Sequence, residues 1–562
     1  MRKNLVQSAA FLLLCSLIAA VALGRASANA RPEPAPLPLR PNVVVIQTDD
    51  QDLASLRAKF RDPFDRVRRA MPKTLDLIGA KGVEFTRYYV SQPICSPSRT
   101  ALLSGQYAKT SGLKRNSGPE GGWEGWQNLP VLEENLAVAL DRIGYRTSHI
   151  GKFTNNYHGA TTETVDTTVP PGWDQWYVPA YGNTLYYYGT MLNVNGQPAG
   201  PFGSNGYDLN GAGTDPPECT AANLNDPVPG VVCNHSTDLF SRAAVEQIEM
   251  AGDEPLYLQV DYNTPHGDHR PPIGPQPLSR HYDSALTSRM PRPPGFNETD
   301  VSDKPSFIRD APPMSRQEIE NLDTRWRKDV ESLRGVDDGV GAIIEALRRS
   351  GKLANTYVFF LSDNGQFSGQ HRLSIAKFLP YEPAARLPLL VRGPGIKPGS
   401  KTSELVSNID IAPTILGLTG ARLPGGFDGR SIRPFWKDTS RRTRRPLLLE
   451  SYIGPNDAPA DGLTSGAGAS ASAPPRNYFA IRAGRYKYVE YTNGERELYD
   501  LKSDPAELAN RIAVPAWRPV ATVLGRELDR LKGCRGATCR AATVRLPGPP
   551  VVEQANRKAG RR

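Results

Sequence analysis

Long apolar runs are scarce in this sequence of 562 residues, and the clearest one lies near the N-terminus. Residues 9–23 are mostly apolar, but this stretch is too short for a comfortable membrane span. Basic residues precede it and small-residue cleavage patterns follow at 26–28 and 28–30, so residues 1–30 are predicted to be an export signal. A lipid anchor is not expected, because Cys15 lacks the small residue that normally precedes a lipidated cysteine. The mature chain is therefore expected to be secreted or periplasmic, without a membrane span.

The sequence also lacks a dense run of lysine and arginine interleaved with aromatic residues, which is typical of nucleic-acid-binding modules. Nucleic acid is accordingly not an expected partner. The formal net charge is nevertheless +10, and such an excess of positive charge raises the local concentration of anions. This balance suits a sulfated or phosphorylated substrate, although it is equally suited to solubility alone.

Cysteine is rare, with six residues in the chain, and one of them belongs to the predicted signal. Cys95 lies in a motif with its own chemistry. The other four form two close pairs in loop-like sequence, Cys219 with Cys233 and Cys534 with Cys539. Both pairs are disulfide candidates in an oxidising compartment, and free thiols are the alternative.

Acidic and amide residues follow two buried strands of a predicted α/β fold. Residues 42–46 and 356–361 are rich in β-branched and aromatic side chains, which is typical of buried, mostly parallel strands. Ligands bind beyond the carboxyl ends of such strands, and hard divalent cations prefer oxygen ligands. A cation site shared by the two strand ends is therefore predicted, with a solvated turn as the alternative at each end. Its candidate ligands are Asp49, Asp50, Asp363 and Asn364.

The segment Cys95-Ser-Pro97-Ser-Arg99 combines a reactive side chain with a cation. Pro97 favours the first turn of a helix, so Cys95 is predicted to lie just before that helix, where free N–H groups favour an anion. Arg99 would lie one turn further along the same face. The pattern indicates a nucleophile and a cation directed at one oxyanion. The alternative is a buried structural cysteine beside a surface arginine.

The same segment, with Ser98 and the apolar turn that ends at Gly105, resembles the signature of the type I sulfatases. The resemblance implies that a formylglycine-generating enzyme oxidises Cys95 to formylglycine, whose hydrate attacks sulfur. The alcohol then leaves, and the second hydroxyl of the hydrate lets sulfate eliminate and restores the aldehyde. The resemblance also implies one calcium ion, held by Asp49, Asp50, Asp363, Asn364 and the group at Cys95.

Three further residues match positions that contact sulfate in this family. Lys152 follows a glycine after a predicted strand, His266 follows a proline at another strand end, and Lys377 precedes an aromatic–glutamate pair. Alone, each of these side chains could equally be a solvated surface residue. With Cys95 they form the implied catalytic set, in which Arg99, Lys152, His266 and Lys377 bind the sulfate. Many family members have a histidine two residues after this lysine, and its absence here leaves open which group assists the formylglycine hydroxyl.

Residues 170–196 resemble one branch of the family. The Pro-Pro-Gly-Trp segment at 170–173, the tyrosines at 186–188 and the segment 192–196 are similar to N-acetylglucosamine-6-sulfatases and heparan sulfate 6-O-sulfatases. The resemblance implies a 6-O-sulfated N-acetylglucosamine or a related sulfated glycan as the substrate. Aromatic side chains in this region could stack on sugar faces, but packing is their more frequent role.

The resemblance covers roughly residues 40–510 and implies an alkaline-phosphatase-like α/β fold. A large mixed, mostly parallel sheet between helices is expected, followed by a smaller C-terminal α+β unit with a short antiparallel sheet. The predicted organisation is a signal (1–30), a Pro-rich lead-in (31–40), a catalytic domain (41–420), a C-terminal subdomain (421–540) with a flexible insertion (456–476), and a basic disordered tail (541–562).

These features predict an exported sulfatase, and three alternatives are open. A general arylsulfatase would share the site but not the glycan substrate. A phosphatase or phosphonate hydrolase would share the fold, although Cys95 in the complete signature argues against it. A non-catalytic protein that binds sulfated glycans would result if Cys95 is never oxidised.

Overall fold

This computed structural model describes residues 40–159, 164–180, 186–202, 217–226, 228, 231, 233–268, 274–452 and 477–550. The predicted export signal, nearly all of the Pro-rich lead-in and the insertion at 456–476 lie outside the described residues, as do residues 551–562 of the predicted tail. Those assignments therefore stay predictions. Residues 541–550 of the predicted tail are described, and they are ordered: Val544 is buried, and its N–H donates to the Arg444 carbonyl (2.9 Å).

The strands of the described residues are β1 (Asn42–Thr48), β2 (Lys59–Arg61), β3 (Val67–Arg69), β4 (Val83–Phe85), β5 (Tyr88–Tyr89), β6 (Arg146–Gly151), β7 (Gln175–Pro179), β8 (Thr190–Val194), β9 (Gln197–Phe202), β10 (Leu256–Asp261), β11 (Thr356–Ser362), β12 (Arg386–Leu387), β13 (Leu389–Arg392), β14 (Ser400–Thr402), β15 (Val406–Ser407), β16 (Pro446–Ser451), β17 (Tyr478–Ala483), β18 (Tyr486–Tyr491) and β19 (Arg496–Asp500).

The helices are α1 (Pro72–Thr74), α2 (Cys95–Ser104), α3 (Ala108–Ser111), α4 (Gly122–Asn128), α5 (Leu136–Asp141), α6 (Ser236–Met250), α7 (Ser306–Arg309), α8 (Arg316–Arg349), α9 (Glu382–Ala385), α10 (Ile411–Thr419), α11 (Arg433–Lys437), α12 (Arg518–Gly533) and α13 (Ala537–Ala541). None of the helices in the described ranges is long and apolar enough to cross a membrane.

A ten-stranded mixed sheet organises the described part of the chain, in the order β14-β4-β13-β11-β1-β10-β6-β7-β8-β9. Its centre is parallel: β1 pairs with β10 on one side and β11 on the other, and β10 pairs in parallel with β6. Antiparallel pairs begin at β13 on one flank and at β8 on the other. The apolar run 43–46 accounts for the central place of β1, because a strand buried on both faces needs no polar alternation. The predicted mixed, mostly parallel sheet is confirmed.

Helices cover both faces of this sheet because alternate residues of a strand point to opposite sides. Val43 and Val45 belong to a core that includes residues of α2, α5 and α10. Val44 and Ile46 belong to a second core with residues of α6 and α8. Layers of helices on both faces leave the carboxyl ends of β1, β10 and β11 together at one edge, where a ligand site is expected.

A separate antiparallel sheet, β16-β17-β18-β19, lies near the C-terminus. Ile481 and Leu498 of this sheet share a core with Leu524 and Leu528 of α12. The smaller α+β unit is therefore confirmed as a structural feature. The described residues from Pro41 onward nevertheless form one compact unit, so the domain boundary at 420 stays a prediction.

Both cysteine pairs singled out in the sequence are disulfides. Cys219 is bonded to Cys233 ahead of α6, and Cys534, directly after α12, is bonded to Cys539 in α13. Among the described cysteines, Cys95 is the free one, and it is buried.

The segment 83–90 forms two strands that belong to different sheets. Its first part, β4, pairs with β13 and β14 of the large sheet, whereas β5 pairs with β12 and β15 in a three-stranded sheet. Arg87 lies at the break, and its Nε donates to the Ser403 carbonyl (2.6 Å). The apolar pattern continues through both strands, so it carries no signal of the change of sheet.

Candidate active site

The carboxyl ends of three neighbouring strands meet in a buried acidic cluster. Its members are Asp49 and Asp50 after β1, Asp261 at the end of β10, and Asp363 and Asn364 after β11. The Asp50 N–H donates to Asp363 Oδ1 (3.1 Å), and Asn364 Nδ2 donates to Asp50 Oδ1 (2.5 Å). The structure therefore brings together the four side chains predicted to hold a cation.

Cys95 lies at the start of α2, beside this cluster. The helix begins at Cys95 itself and ends before Gly105, whose φ of 69° and close approach to Phe427 exclude a side chain. The Cys95 Sγ lies 3.7 Å from Asp49 Oδ1 and 3.5 Å from Lys377 Nζ. Burial raises the pKa of the Cys95 thiol to about 12, so the thiol is neutral at pH 7.

Arg99, one turn along α2, is buried between three carboxylates. Its Nε donates to Asp363 Oδ2 (3.0 Å), and its Nη1 donates to Asp261 Oδ2 (3.1 Å). Its Nη2 also lies 3.3 Å from Asp49 Oδ2. Burial alone would lower the pKa of Arg99, but Asp363, Asp49 and Asp261 raise that pKa above its usual value. Arg99 is therefore a fixed positive charge that offsets repulsion among the carboxylates.

Lys152 reaches the cluster from the end of β6. The preceding Gly151 has a φ of 92°, and a Cβ there would collide with the Asp261 carbonyl, so the turn requires glycine. The Lys152 Nζ lies 2.5 Å from Asp49 Oδ2. Burial alone would raise the pKa of Asp49, but Lys152, His266 and Arg99 hold it well below its usual range. Asp49 therefore stays ionised at neutral pH.

Lys377 comes from irregular backbone between β11 and α9. Positive φ angles occur on both sides of it, at His371 (54°), Arg372 (64°) and Phe378 (74°). The Lys377 Nζ lies 2.9 Å from Asp50 Oδ1, and the side chain is nearly fully buried. This lysine thus bridges the acidic cluster and the side chain at position 95.

His266 lies just beyond β10 and faces the same cluster. Its Nε2 is 3.6 Å from Asp50 Oδ2. Two side chains hold the loop: the O–H of the buried Tyr187 donates to the His266 carbonyl (2.8 Å), and Nη2 of the half-buried Arg325 donates to the Pro265 carbonyl (3.0 Å). All the predicted catalytic residues therefore lie around one centre.

The donor set fits a hard cation. Ligand atoms of Asp49, Asp50, Cys95 and His266 all lie within 4.8 Å of one another. The Asn364 Oδ1 is buried, and no hydrogen-bond donor in the described ranges reaches it. Buried oxygens without a partner are rare, and Ca²⁺ is bound by just such carboxylate and amide oxygens.

The segment after Lys152 contacts the second residue of α2 instead of the acidic cluster. Thr154 Oγ1 donates to Ser96 Oγ (2.8 Å), which in turn donates to Asn155 Oδ1 (2.8 Å). Thr154 stands two residues after Lys152, at the position where the resemblance implies a histidine in many family members. The Thr154 and Asn155 side chains both brace the start of α2, whereas the Lys377 Nζ lies within hydrogen-bond reach of Cys95 Sγ.

Among the described residues of the 170–196 region, four aromatic side chains are buried, whereas Tyr177 and Tyr186 are half-buried. Trp173, Trp176, Tyr187 and Tyr188 are all buried. The Trp176 ring stacks on the buried His149, with 5.0 Å between the ring centroids. The packing role is therefore confirmed, and these four rings offer no open platform for a sugar.

Asp261 is a member of the cluster that sequence reasoning did not single out. Its carboxylate holds Arg99 and accepts from Gln259 Nε2 (3.0 Å), and burial raises its pKa to about 7. The available signal was its place at the end of a buried strand, the same signal that marked Asp49 and Asp363.

Comparisons with known proteins agree with this geometry. The sulfatase family model matches residues 41–421. The N-acetylglucosamine-6-sulfatase of Homo sapiens is 31% identical over 533 residues, which cover 91% of this chain and 87% of that protein. An arylsulfatase of Volvox carteri is 30% identical over 536 residues, covering 89% of this chain and 76% of that protein. A solved protein in complex with its substrate D-glucosamine-2-N,6-O-disulfate has a TM-score of 0.65 at 19% identity, with 89% of this chain and 98% of that chain covered.

The mixed α/β sheet carries a buried cysteine–carboxylate cluster at its carboxyl edge, and the family match identifies this site as that of a sulfuric ester hydrolase. With the family match and these identities, the chain belongs to the sulfatase family. Its relatives include N-acetylglucosamine-6-sulfatases, in agreement with the resemblance of residues 170–196.

Proposed function

We propose that this protein is an exported sulfatase that removes 6-O-sulfate from N-acetylglucosamine or a related sulfated glycan. In this proposal Cys95 is converted to formylglycine and one calcium ion is bound. The observation that carries it is the position of Cys95 at the start of α2, 3.7 Å from Asp49 and 3.5 Å from Lys377, in a chain of the sulfatase family.

Formylglycine suits this position better than a thiolate does. The buried Cys95 thiol has a pKa raised to about 12, and a protonated thiol is a weak nucleophile. When formed, the hydrated aldehyde supplies an oxygen nucleophile and a second hydroxyl, which a serine or cysteine ester lacks. Free N–H groups at the start of α2 favour negative charge at this point.

Calcium would be held by Asp49, Asp50, Asp363, Asn364 and the group at position 95. When bound, the ion polarises the sulfate and lowers the pKa of the nucleophile. The buried Asn364 Oδ1 and the close approach of Asp49 and Asp50 support this ligand set.

The cationic side chains stabilise negative charge on the sulfate. Lys152 and Lys377 are directed at the cluster from two sides, where preorganised charge is most effective because water is excluded. Lys377 is the side chain that we assign to assist the nucleophile, since it lies beside position 95. His266 is placed to bind sulfate or to act as the acid for the departing alcohol. Arg99, which the resemblance places in the sulfate-binding set, also holds the carboxylates of Asp261 and Asp363 in place.

The choice of a glycan substrate rests on the relatives. The human protein that is 31% identical to this chain is named N-acetylglucosamine-6-sulfatase. The family match favours a sulfate ester over a phosphate or phosphonate ester. Export rests on the N-terminal pattern of residues 1–30, and sequencing the N-terminus of protein recovered outside the cells would test it.

The decisive experiment for the nucleophile is the mass of the tryptic peptide 88–99 from protein made in its native host. Conversion of the CH2–SH side chain of Cys95 to an aldehyde is the expected result. An unmodified thiol in most molecules would contradict the formylglycine mechanism.

The substrate is tested by measuring free sulfate released from N-acetylglucosamine-6-sulfate, from an aryl sulfate and from a 6-O-sulfated oligosaccharide, with the matching phosphate ester as the control. Release from the sugars is expected. Release from the aryl ester alone would indicate a general arylsulfatase. Unchanged glycan binding by Cys95→Ala, with no hydrolysis by the parent, would indicate a binding protein.

A further inference from the structure

A short hairpin that lies between Asp50 and Cys95 in the sequence carries a concentration of positive charge. It consists of β2, the turn 62–66 and β3, and we call it the basic hairpin. Its register pairs Lys59 with Arg69 and Arg61 with Val67. Cross-strand partners point to the same face of a sheet, so Lys59 and Arg69 lie side by side, and like charges in such a pair are destabilising. All four side chains are exposed.

Local carboxylates leave this charge only partly balanced. Asp62 is shared between Arg66 (2.8 Å) and Arg68 (3.0 Å) of the same hairpin, and Asp65 pairs with Arg61 (3.1 Å). Across the described ranges, no carboxylate lies within ion-pair distance of Lys59 or Arg69. The unfavourable pair therefore lacks an intramolecular counter-charge, and an external anion would relieve it.

Three grooves meet along the basic hairpin and join into one surface. A groove of about 330 Å³ is lined by Lys59, Arg69, Arg57 and Lys401, with Glu84 between the last two. A larger groove of about 590 Å³ shares Arg69 with it and is also lined by Asp62, Asp337 and Asp338. A third groove of about 330 Å³ shares Lys59 and has no carboxylate among its lining residues, all of which are described. An extended anion could follow this surface past several cations.

Helix α8 runs between the basic hairpin and the catalytic cluster. Its Arg334 lies over the Phe60 ring of β2, 5.6 Å from the centroid. Its Arg325 donates to the Pro265 carbonyl, next to His266. The two arginines are nine positions apart, which corresponds to a rise of about 14 Å along an α-helix. The hairpin is thus a separate surface, at a distance that a few linked sugars can span.

We propose that the basic hairpin is a second binding surface for a sulfated polysaccharide, which holds sulfate groups other than the one being hydrolysed. The proposal rests on the proposed function only for the choice of a sulfated glycan as the ligand. Arginine guanidinium groups bind the oxygens of anionic groups through paired N–H donors, and neither Lys59 nor Arg69 has a carboxylate partner in the described ranges. The exposed Phe64 ring in the turn (77% exposed) adds an apolar face against which a sugar ring can pack.

The test compares the binding of heparin, a densely sulfated glycan, by three forms of the full-length protein. These are the wild type, Lys59→Gln/Arg69→Gln, and a control pair on the exposed side of α12, Arg518→Gln/Arg526→Gln, which removes the same charge elsewhere. We expect the hairpin pair to bind heparin about tenfold more weakly at physiological salt, with a shallower salt dependence. The control pair should change the affinity less than twofold. Hydrolysis of a small aryl sulfate should be equal in all three forms.

Three results would overturn the proposal: unchanged heparin affinity of the hairpin pair, an equal loss in both pairs, or a loss of binding to phosphatidylserine vesicles with heparin binding intact. The last result would mean a membrane surface instead. If the double variant does not fold, Arg289→Gln, in the third groove, serves in its place and should weaken heparin binding about threefold. Heparin affinity does not depend on turnover, so an unmodified Cys95 peptide would refute the catalytic proposal without touching this one.

Discussion

The ammonium group of Lys377 lies 2.9 Å from Oδ1 of Asp50, and both side chains are buried. The same ammonium is 3.5 Å from the Cys95 Sγ. One cation therefore contacts both a predicted calcium ligand and the predicted nucleophile position. This arrangement couples the charge of the acidic cluster to the reactive group.

Replacing Lys377 by methionine should remove this charge while keeping most of the side-chain volume. We expect kcat/KM for a sulfate ester to fall about 10²- to 10³-fold, because a preorganised charge at the reacting group is lost. The measurement is steady-state hydrolysis together with thermal unfolding.

Lys487→Met is a matched control. Lys487 is also a buried lysine, on β18 of the C-terminal sheet, and it pairs with Glu382 (2.9 Å) and Glu507 (2.7 Å). This substitution should lower stability but leave kcat/KM within about threefold. Equal losses of activity in both variants would argue against a catalytic role for Lys377.

The strand-end ligands could be predicted from the sequence, because two buried apolar runs each stop at an acidic group and parallel strands end at one edge. Asp50 and Asp363 accordingly meet, with a hydrogen bond of 3.1 Å between them. Cys95 and Arg99 follow from a local motif that folds as one helical turn.

Other parts of the site have no local pattern. Lys377 lies in backbone with positive φ at His371 and Phe378, which no periodicity encodes, so the family resemblance alone marked it. Its tertiary position depends on residues that are far away in sequence, such as Pro93, whose carbonyl accepts from the Phe378 N–H (3.0 Å). Asp261 carried a usable signal, but it stands alone at its strand end, without the neighbouring acidic or amide residue that marks Asp49 and Asp363.

Asp261 should act as a positioning residue for Arg99. Asp261→Asn keeps the shape but weakens the contact with Arg99 Nη1, which is 3.1 Å in the wild type. We expect kcat to fall about 10- to 100-fold with KM changed much less. Losses of this size are typical when a residue that orients the side chains around a metal site is replaced. Gln259→Leu, which removes one donor to Asp261, should show a smaller loss in the same direction. A change confined to thermal stability, with kcat unaltered, would contradict this role.

Removal of calcium should inactivate the enzyme reversibly. Dialysis against a calcium chelator is expected to lower both kcat and the melting temperature, since the ion binds only the folded chain and offsets repulsion between Asp49 and Asp50. Added Ca²⁺ should restore both.

Asn364→Ala should raise the Ca²⁺ concentration needed for half-recovery about tenfold. Asn135→Ala, which removes the buried cap of α5, should lower stability without changing that concentration. Full activity after exhaustive chelation would count against the metal.

Glu450 should make the stability of the protein depend on pH. Its carboxylate is buried on β16, where Oε2 accepts from the Tyr452 O–H (2.8 Å) and Oε1 from the Lys109 N–H (3.3 Å). Burial raises the pKa of Glu450 to about 7, from a usual value of 4.5. Between these two pH values the folded chain keeps a proton that the unfolded chain releases, so the free energy of unfolding falls as pH rises and levels off above about 7. Full ionisation costs the folded state on the order of 3 kcal/mol.

Glu450→Gln removes this titration. The difference in the free energy of unfolding between variant and wild type should therefore shift by about 2–3 kcal/mol in favour of the variant between pH 5 and pH 8. This shift does not depend on which of the two proteins is more stable at pH 5. The check is the difference in melting temperature between variant and wild type at several pH values. That difference should grow in favour of the variant as pH rises. The exposed Glu133→Gln serves as a control whose difference should stay constant. A pH-independent difference for Glu450→Gln would mean that the Glu450 carboxylate is ionised in the folded protein throughout this range, because only a group that changes its protonation on unfolding can tilt the curve.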